Sequence, residues 1–190
     1  MTSELVAARR RRVLDAMSER GVDALVLGRQ DNVGYSTGMA RLWTSGTRLF
    51  GAGCVLMAET QRTHLLSSWD AGIPEHVPFD DLYPITWNPE IMASSMAAIG
   101  GLSTARRIGV DACSPGFIRA AARFAPGAQI VPCDDLMSSV RTVKLVEEIE
   151  LVRSACRVVW SGVEAVLNRP DAPTPIANAL TAMTALGATI

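Results

Sequence analysis

The sequence has no apolar run long enough to span a bilayer, and its charged N-terminus lacks the apolar stretch of a secretory signal. The expectation is a cytoplasmic protein with no membrane partner. Cys54, Cys113, Cys133 and Cys156 are scattered and make no C-x-x-C. Four buried or half-buried thiols in a reducing compartment are expected, with disulfides left open. Lysine is almost absent: Lys144 stands alone against a background of arginine, which we read as genome composition rather than function. Net charge is also absent, at −1, so nothing draws the chain as a whole to nucleic acid or to an anionic surface. His64 and His76 are the only histidines. Without spaced carboxylate partners they do not make a dinuclear metal site, and His64, in an expected strand, reads as a structural histidine. There is no Walker sequence, no G-x-S-x-G and no H-E-x-x-H. Gly51-x-Gly53 lacks the third glycine of a dinucleotide fingerprint and precedes a strand rather than a helix.

What is present is a globular pattern. The chain has 190 residues, 48% of them hydrophobic, and a mean hydropathy of +0.20. A chain of that length buries about 70% of its unfolded surface, enough for a core without staples. Ser3 is expected to cap a helix to about Arg20, with Val6, Val13, Leu14 and Met17 on one face and Gly21 ending it. The Arg9–Arg12 run reads as a solvated face, because consecutive helical residues point in different directions. Ala24–Leu27 is a short strand, followed by a loop-rich stretch from Gly28 to Gly53. Cys54–Ala58 and Thr63–Ser67 read as a hairpin. Leu82–Thr86 is an edge strand, since Pro84 cannot donate to a ladder. Asn88-Pro89 and Ser114-Pro115 each pair a helix cap with a proline at the first helical position. Strands are expected at Arg107–Asp111 and Gln129–Pro132, and Asp134 or Asp135 as the cap of a further short helix. The alternation argues for right-handed βαβ crossovers and the hairpin for antiparallel pairing. The expected fold is α/β, a mixed sheet of about six strands flanked by helices.

The C-terminal part has a different character. From Leu145 the apolar residues fall at 145, 149, 152, 156, 159, 160, 163, 166 and 167, which is one helical stripe in need of a partner surface. A turn follows, and Thr174-Pro175 opens a second helix carrying Ile176, Leu180, Met183 and Leu186. Too few residues follow for another domain. The expected organisation is a first domain at 1–140, then a junction and the first two helices of an incomplete second domain at 141–190.

Arg141-x-x-Lys144, then Glu147-Glu148-Ile149 and Ala155, resembles the interdomain junction of the creatinase/prolidase/aminopeptidase P family. Gly21 to Leu27, then Asn32-x-x-Tyr35-x-x-Gly38, resembles that family's first strand and its Asn-x-x-Tyr-x-x-Gly segment. Order and spacing agree over nearly the whole chain. The resemblance implies a ribonuclease-H-like N-terminal domain without nuclease activity. It implies a homodimer whose catalytic half, not found in these residues, holds two divalent metal ions (manganese, cobalt or zinc) on two Asp, one His and two Glu. It implies hydrolysis of an Xaa-Pro peptide or a related small C–N substrate by the intact protein, with no nucleic-acid partner.

On this reading the chain itself carries no catalytic residue and no metal ligand. In the resembled family the loop after Gly38 reaches the partner subunit's active site. Arg41 or Arg48 would supply a clamp for a carboxylate and Trp43 an apolar wall; the competing reading is a surface loop with Trp43 tucked into the core. Asp80-Asp81 and Asp134-Asp135 look like paired carboxylates, but adjacent side chains diverge and a structural role is expected for both pairs. The rival to the hydrolase reading is a stand-alone interaction or dimerisation module whose contact surface is the two final helices.

Overall fold

The structure is a computed structural model that describes residues 2–39, 53–67, 72–84, 88–111, 115–169 and 173–188. Within these residues the chain forms two compact units, 1–142 and 143–190.

The first unit is built on a six-stranded mixed sheet. Its strands are β1 (Ala24–Leu27), β2 (Cys54–Met57), β3 (Thr63–Ser67), β4 (Leu82–Pro84), β5 (Arg107–Val110) and β6 (Gln129–Pro132). The spatial order is β4-β3-β2-β1-β5-β6. The pairs β1–β2 and β2–β3 are antiparallel, and β1–β5, β5–β6 and β3–β4 are parallel. Pro84 and Pro132 both lie on edge strands, where a missing N–H costs no ladder bond. β1 and β2 are buried along their whole length, which is why they read as continuous apolar runs rather than alternating ones.

Helices cover both faces. They are α1 (Ser3–Glu19), α2 (Gln30–Thr37), α3 (Pro89–Ala97), α4 (Pro115–Phe124) and α5 (Asp134–Thr142). One core joins Val13 and Met17 of α1, Val33 and Tyr35 of α2 and Leu136, Met137 and Val140 of α5 to Leu25, Leu27, Cys54, Leu56 and Leu65 of the sheet. The other joins Met96 of α3 and Phe117, Ala121 and Phe124 of α4 to Val26, Val55, Leu66, Ile108 and Val110. Alternate residues of each strand thus supply the two cores.

Four local expectations are corrected. α1 is capped by Thr2, whose hydroxyl accepts from Leu5 N–H at 3.3 Å, and Ser3 is the first helical residue. The stretch expected to be loop from Gly28 contains α2, an eight-residue helix. Asp134 and Asp135 are the first residues of α5 and each meets an arginine, so neither is the cap that precedes the helix. Cys156 is exposed, whereas Cys54 and Cys133 are buried free thiols; Cys113 lies outside the described residues.

Close packing around β5 shows at Gly109. A Cβ there would stand 2.5 Å from Cys133 Sγ, 3.0 Å from Leu25 Cδ1 and 3.2 Å from Val22 Cγ1. Gly109→Ala is expected to destabilise the domain by about 1–3 kcal/mol through overpacking. Adding Cys133→Ala should return part of that loss in chemical denaturation, because the sulfur is the nearest obstacle.

The second unit is a pair of helices, α6 (Val146–Leu167) and α7 (Pro175–Ala185). α6 opens with Glu148 reaching back to accept from Leu145 N–H at 2.8 Å, half of a capping box, since leucine has no acceptor to complete it. Gly162 is buried in α6 where α7 crosses it: a Cβ there would lie 2.8 Å from Met183 Sδ. No helix among the described residues is long and apolar enough to cross a membrane.

Candidate functional site

The chemistry of the first unit gathers at the carboxyl ends of its parallel strands. β1 ends at Leu27, β5 at Val110 and β6 at Pro132. The residues just beyond them are Gly28 and Arg29, then Asp111, then Asp134. In open α/β sheets this end is where ligands are commonly held. Here the position is filled from within the chain.

Asp111 is fully buried. Its Oδ1 accepts from Gly28 N–H at 2.7 Å, and its Oδ2 from Arg29 N–H at 3.2 Å and from Asn32 Nδ2 at 2.8 Å. A carboxylate therefore satisfies amides at the start of α2, which has no side-chain cap of its own. Burial pushes the Asp111 carboxyl above the ordinary aspartate range; the bonds from Gly28, Asn32 and Arg29 pull it down and the charge of Asp134 adds to the rise. Arg29 Nε donates to Asp111 O at 2.8 Å, and its Nη2 lies 2.9 Å from Asp134 Oδ1. Asn32 Oδ1 accepts from Arg141 Nη1 at 2.7 Å. Two residues that stood in separate motifs, Asn32 and Arg141, are thus bonded to each other.

The spacing of Asn32, Tyr35 and Gly38 is the spacing of a helix. Asn32 and Tyr35 are buried one turn apart, and Arg9 of α1 lies over the Tyr35 ring, 4.8 Å from its centroid. Gly38 takes the left-handed conformation (φ 76°) that ends α2, with its N–H donating to Gly34 O. Beside these residues a wide-open cavity of about 330 Å³ is lined by Arg9, Gln30, Asp31, Gly34, Tyr35, Met39 and Arg141.

Arg41, Trp43 and Arg48, the candidate substrate-contacting residues, lie outside the described residues. Both stems of their segment are described and firmly seated. Met39 is buried, with its N–H donating to Thr37 Oγ1 at 3.1 Å. Gly53 donates to Leu27 O at 2.7 Å, and a Cβ on it would lie 2.7 Å from Val33 Cγ2. Met39 and Gly53 both lie next to α2.

The carboxylate pairs do diverge. Asp134 meets Arg29, and Asp135 meets Arg20. Asp80 is exposed while Asp81 is buried. Arg62 holds Asp81 through Nε at 3.0 Å and Nη2 at 2.8 Å. His64 is buried in β3, with Nδ1 3.0 Å from Asp81 Oδ1 in a contact that is poorly aligned for a hydrogen bond, and with its ring edge-on to Tyr83. Burial lowers the His64 pKa; Asp81 opposes that and Arg62 adds to it. His64 is therefore a structural residue of the β3–β4 edge. His76 is exposed and lines a groove with Arg10.

Among the described residues no three His, Cys, Asp or Glu side chains gather to hold a metal ion. The carboxylates nearest a histidine or a strand end are already engaged: Asp81 by Arg62, and Asp111 by two amides and Asn32. These residues do not fit a dinuclear centre. Sequence reasoning named Asn32 and Arg141 without connecting them and missed Asp111. The helical spacing of Asn32-x-x-Tyr35-x-x-Gly38 was the available signal.

The fold is similar to that of the prolidase from Pyrococcus horikoshii OT3, at 17% identity and a TM-score of 0.67, over 95% of this chain and 49% of that one. It is similar to the Xaa-Pro dipeptidase from Bacillus anthracis, at 15% identity and a TM-score of 0.65, over 97% and 50%. It is also similar to the N-terminal domain of the cytoplasmic peptidase PepQ from Mycobacterium tuberculosis H37Rv, at 19% identity and a TM-score of 0.51, over 70% and 98%. These likenesses are of fold, and the chain spans about half the length of the first two proteins. No curated protein matches the sequence. Residues 9–143 match the Creatinase/Prolidase N-terminal domain, and the chain belongs to that family.

Proposed function

We propose that this chain is the N-terminal, non-catalytic part of a metal-dependent hydrolase of the Xaa-Pro peptidase and creatinase kind. Its role is to support a homodimer and to close the partner subunit's active site. The observation that carries this reading is the family match over 9–143 in a chain half as long as the prolidases it resembles in fold. The two divalent ions, manganese, cobalt or zinc, belong to the further half, as does the water they activate. The substrate is a small Xaa-Pro peptide or a related C–N compound. The seated stems at Met39 and Gly53 support a role for Arg41, Trp43 and Arg48 as the part of this domain that meets substrate.

Two expected outcomes test the reading. The 190-residue chain, stripped with chelator and titrated with manganese, cobalt or zinc, should bind no ion tightly in calorimetry and hydrolyse no Xaa-Pro dipeptide. Two ions bound per chain, with turnover, would sink it. In the intact enzyme, Arg41→Ala and Trp43→Ala should raise KM with smaller losses in kcat, because a clamp that holds ground and transition states alike acts on binding. Mixing such a variant with one lacking the metal ligands should restore activity in mixed dimers. A marked fall in Tm for Trp43→Ala with KM unchanged would make Trp43 a core residue instead.

The exposed apolar faces of α6 and α7 favour a second reading, a stand-alone dimerisation module. The reading frame beyond Ile190 decides between them: Asp, Asp, His, Glu and Glu ligands downstream support the hydrolase.

A further inference from the structure

The N-cap residue and first turn of α2 hold α5 at both ends. At the start of α5, Arg29 meets Asp134 at 2.9 Å. At its end, Asn32 Oδ1 accepts from Arg141 Nη1 at 2.7 Å. The Asn32 amide cannot turn round. Its Nδ2 is committed to Asp111, and a reversed amide would set a donor against Arg141 and an acceptor against a carboxylate. Asp111 is in turn fixed by Gly28 and Arg29 N–H. The chain of bonds from Asp111 through Asn32 to Arg141 therefore has one sense. It ends one residue short of Thr142, the last residue of the first unit.

We infer that Asn32 is a positioning residue which, acting through Arg141, fixes the last turn of α5 and so the course on which the backbone leaves the first unit. Arg141 belongs to the junction motif, and Asn32 to the motif that precedes the 40–52 segment. The latch gives both residue types a role: the neutral Asn32 amide accepts from the Arg141 guanidinium and donates to the Asp111 carboxylate at once. What the latch does for catalysis in an intact hydrolase rests on the function proposed above. The latch itself does not, and it is testable in the present chain.

The charged groups around Asn32 and Arg141 include Asp111, which is bonded to Asn32, and Arg9 and Asp31, which line one cavity with Arg141; Arg29 is bonded to Asp111 and pairs with Asp134. Asn32→Asp would set two carboxylates against each other at the 2.8 Å now spanned by an amide–carboxylate bond. One of them would keep a proton, with its folded pKa raised above the unfolded value. The stability linked to that proton is present at low pH and is lost as pH rises through the raised pKa. The deficit of Asn32→Asp against wild type should therefore be larger at about pH 8 than at about pH 5; that of Asn32→Ala, which only removes one bond holding the Asp111 pKa down, should grow much less over the same range.

Three measurements on the 190-residue chain test the latch. In hydrogen exchange, Asn32→Ala and Arg141→Ala should each speed the amides of Val140, Arg141 and Thr142 by about tenfold while those of α3 and α4 keep their rates. Arg141→Lys, which keeps one donor, should fall between. In denaturation, the double variant should lose clearly less than the sum of the two single losses, because the Asn32–Arg141 bond is removed in both singles. Uniform acceleration throughout the unit, additive losses, or parallel pH profiles for Asn32→Asp and Asn32→Ala would each overturn the inference and leave Asn32 a packing residue.

Discussion

Asp111→Ala is expected to cost about 3–5 kcal/mol of folding stability, the largest loss from any single polar truncation in the first unit. The side chain is fully buried and bonded to Gly28 N–H, Arg29 N–H and Asn32 Nδ2. Alanine leaves those donors facing one another. Each buried orphan costs about 1–3 kcal/mol; water can replace part of the loss at exposed Arg29 and half-buried Gly28, but not at buried Asn32. Asp111→Asn is the sharper variant. Its single carbonyl oxygen can serve the two backbone amides, but its NH₂ then opposes Asn32 Nδ2. Reversing Asn32 only moves the donor–donor clash to Arg141. The carboxamide should therefore fail to substitute for the carboxylate despite its nearly identical shape, with a loss of about 1–3 kcal/mol near neutrality.

The pH dependence gives that prediction a sign. Burial raises the Asp111 pKa in the folded state despite its hydrogen bonds. A raised carboxyl contributes stability that is complete below the unfolded value of about 3.9 and is lost as pH rises through the folded value. Asparagine has no such dependence. The gap between wild type and Asp111→Asn should therefore be widest in acid and narrow with rising pH, to be read from urea midpoints at a series of pH values. A gap that widens with pH would show that the hydrogen bonds outweigh burial and that the carboxyl is held below its ordinary value.

The same network marks what the sequence could and could not tell. β1, β2, β5 and β6 were legible because each is a short apolar or β-branched run between breakers, and such runs need little help to be recognised. The long helix α6 was legible from its stripe. α2 was not, because Gln30–Thr37 carries a glycine and polar residues and has no side-chain cap. What secures it is a carboxylate about eighty residues along the chain, at Asp111. Local propensity cannot report a partner supplied by another strand. His64 could be placed in a strand and read as structural, but not matched to Asp81 and Arg62, since the pairing depends on β4 returning beside β3. Asp134 and Asp135 were misread as caps for a related reason: their partners, Arg29 and Arg20, lie more than a hundred residues away.

The second unit should self-associate when this chain is studied alone. α6 gives its narrow side to α7: Gly162 is buried against Met183, and Val158, Ser161 and Ala165 on that side are half-buried. The rest of its stripe is left in water. Trp160 is 59% exposed, and Val152, Val159, Val163 and Leu167 are exposed with it, as are Ile176, Leu180 and Leu186 of α7. The one polar group of Trp160 is satisfied within the helix, Nε1 donating to Glu164 Oε1 at 2.6 Å, so burying the ring would leave no donor stranded. Full burial of each such side chain is worth about 1.5–3 kcal/mol relative to exposure, and a few half-exposed ones suffice to drive association of a second copy. Sedimentation should show a concentration-dependent larger species, strengthened by sulfate because the contact is apolar. Trp160→Asp and Val163→Asp should each shift it to monomer. Because both residues are exposed, the melting of the first unit should be unchanged in these variants. The reading fails if the wild type sediments as a monomer at every concentration while acrylamide quenches Trp160 freely.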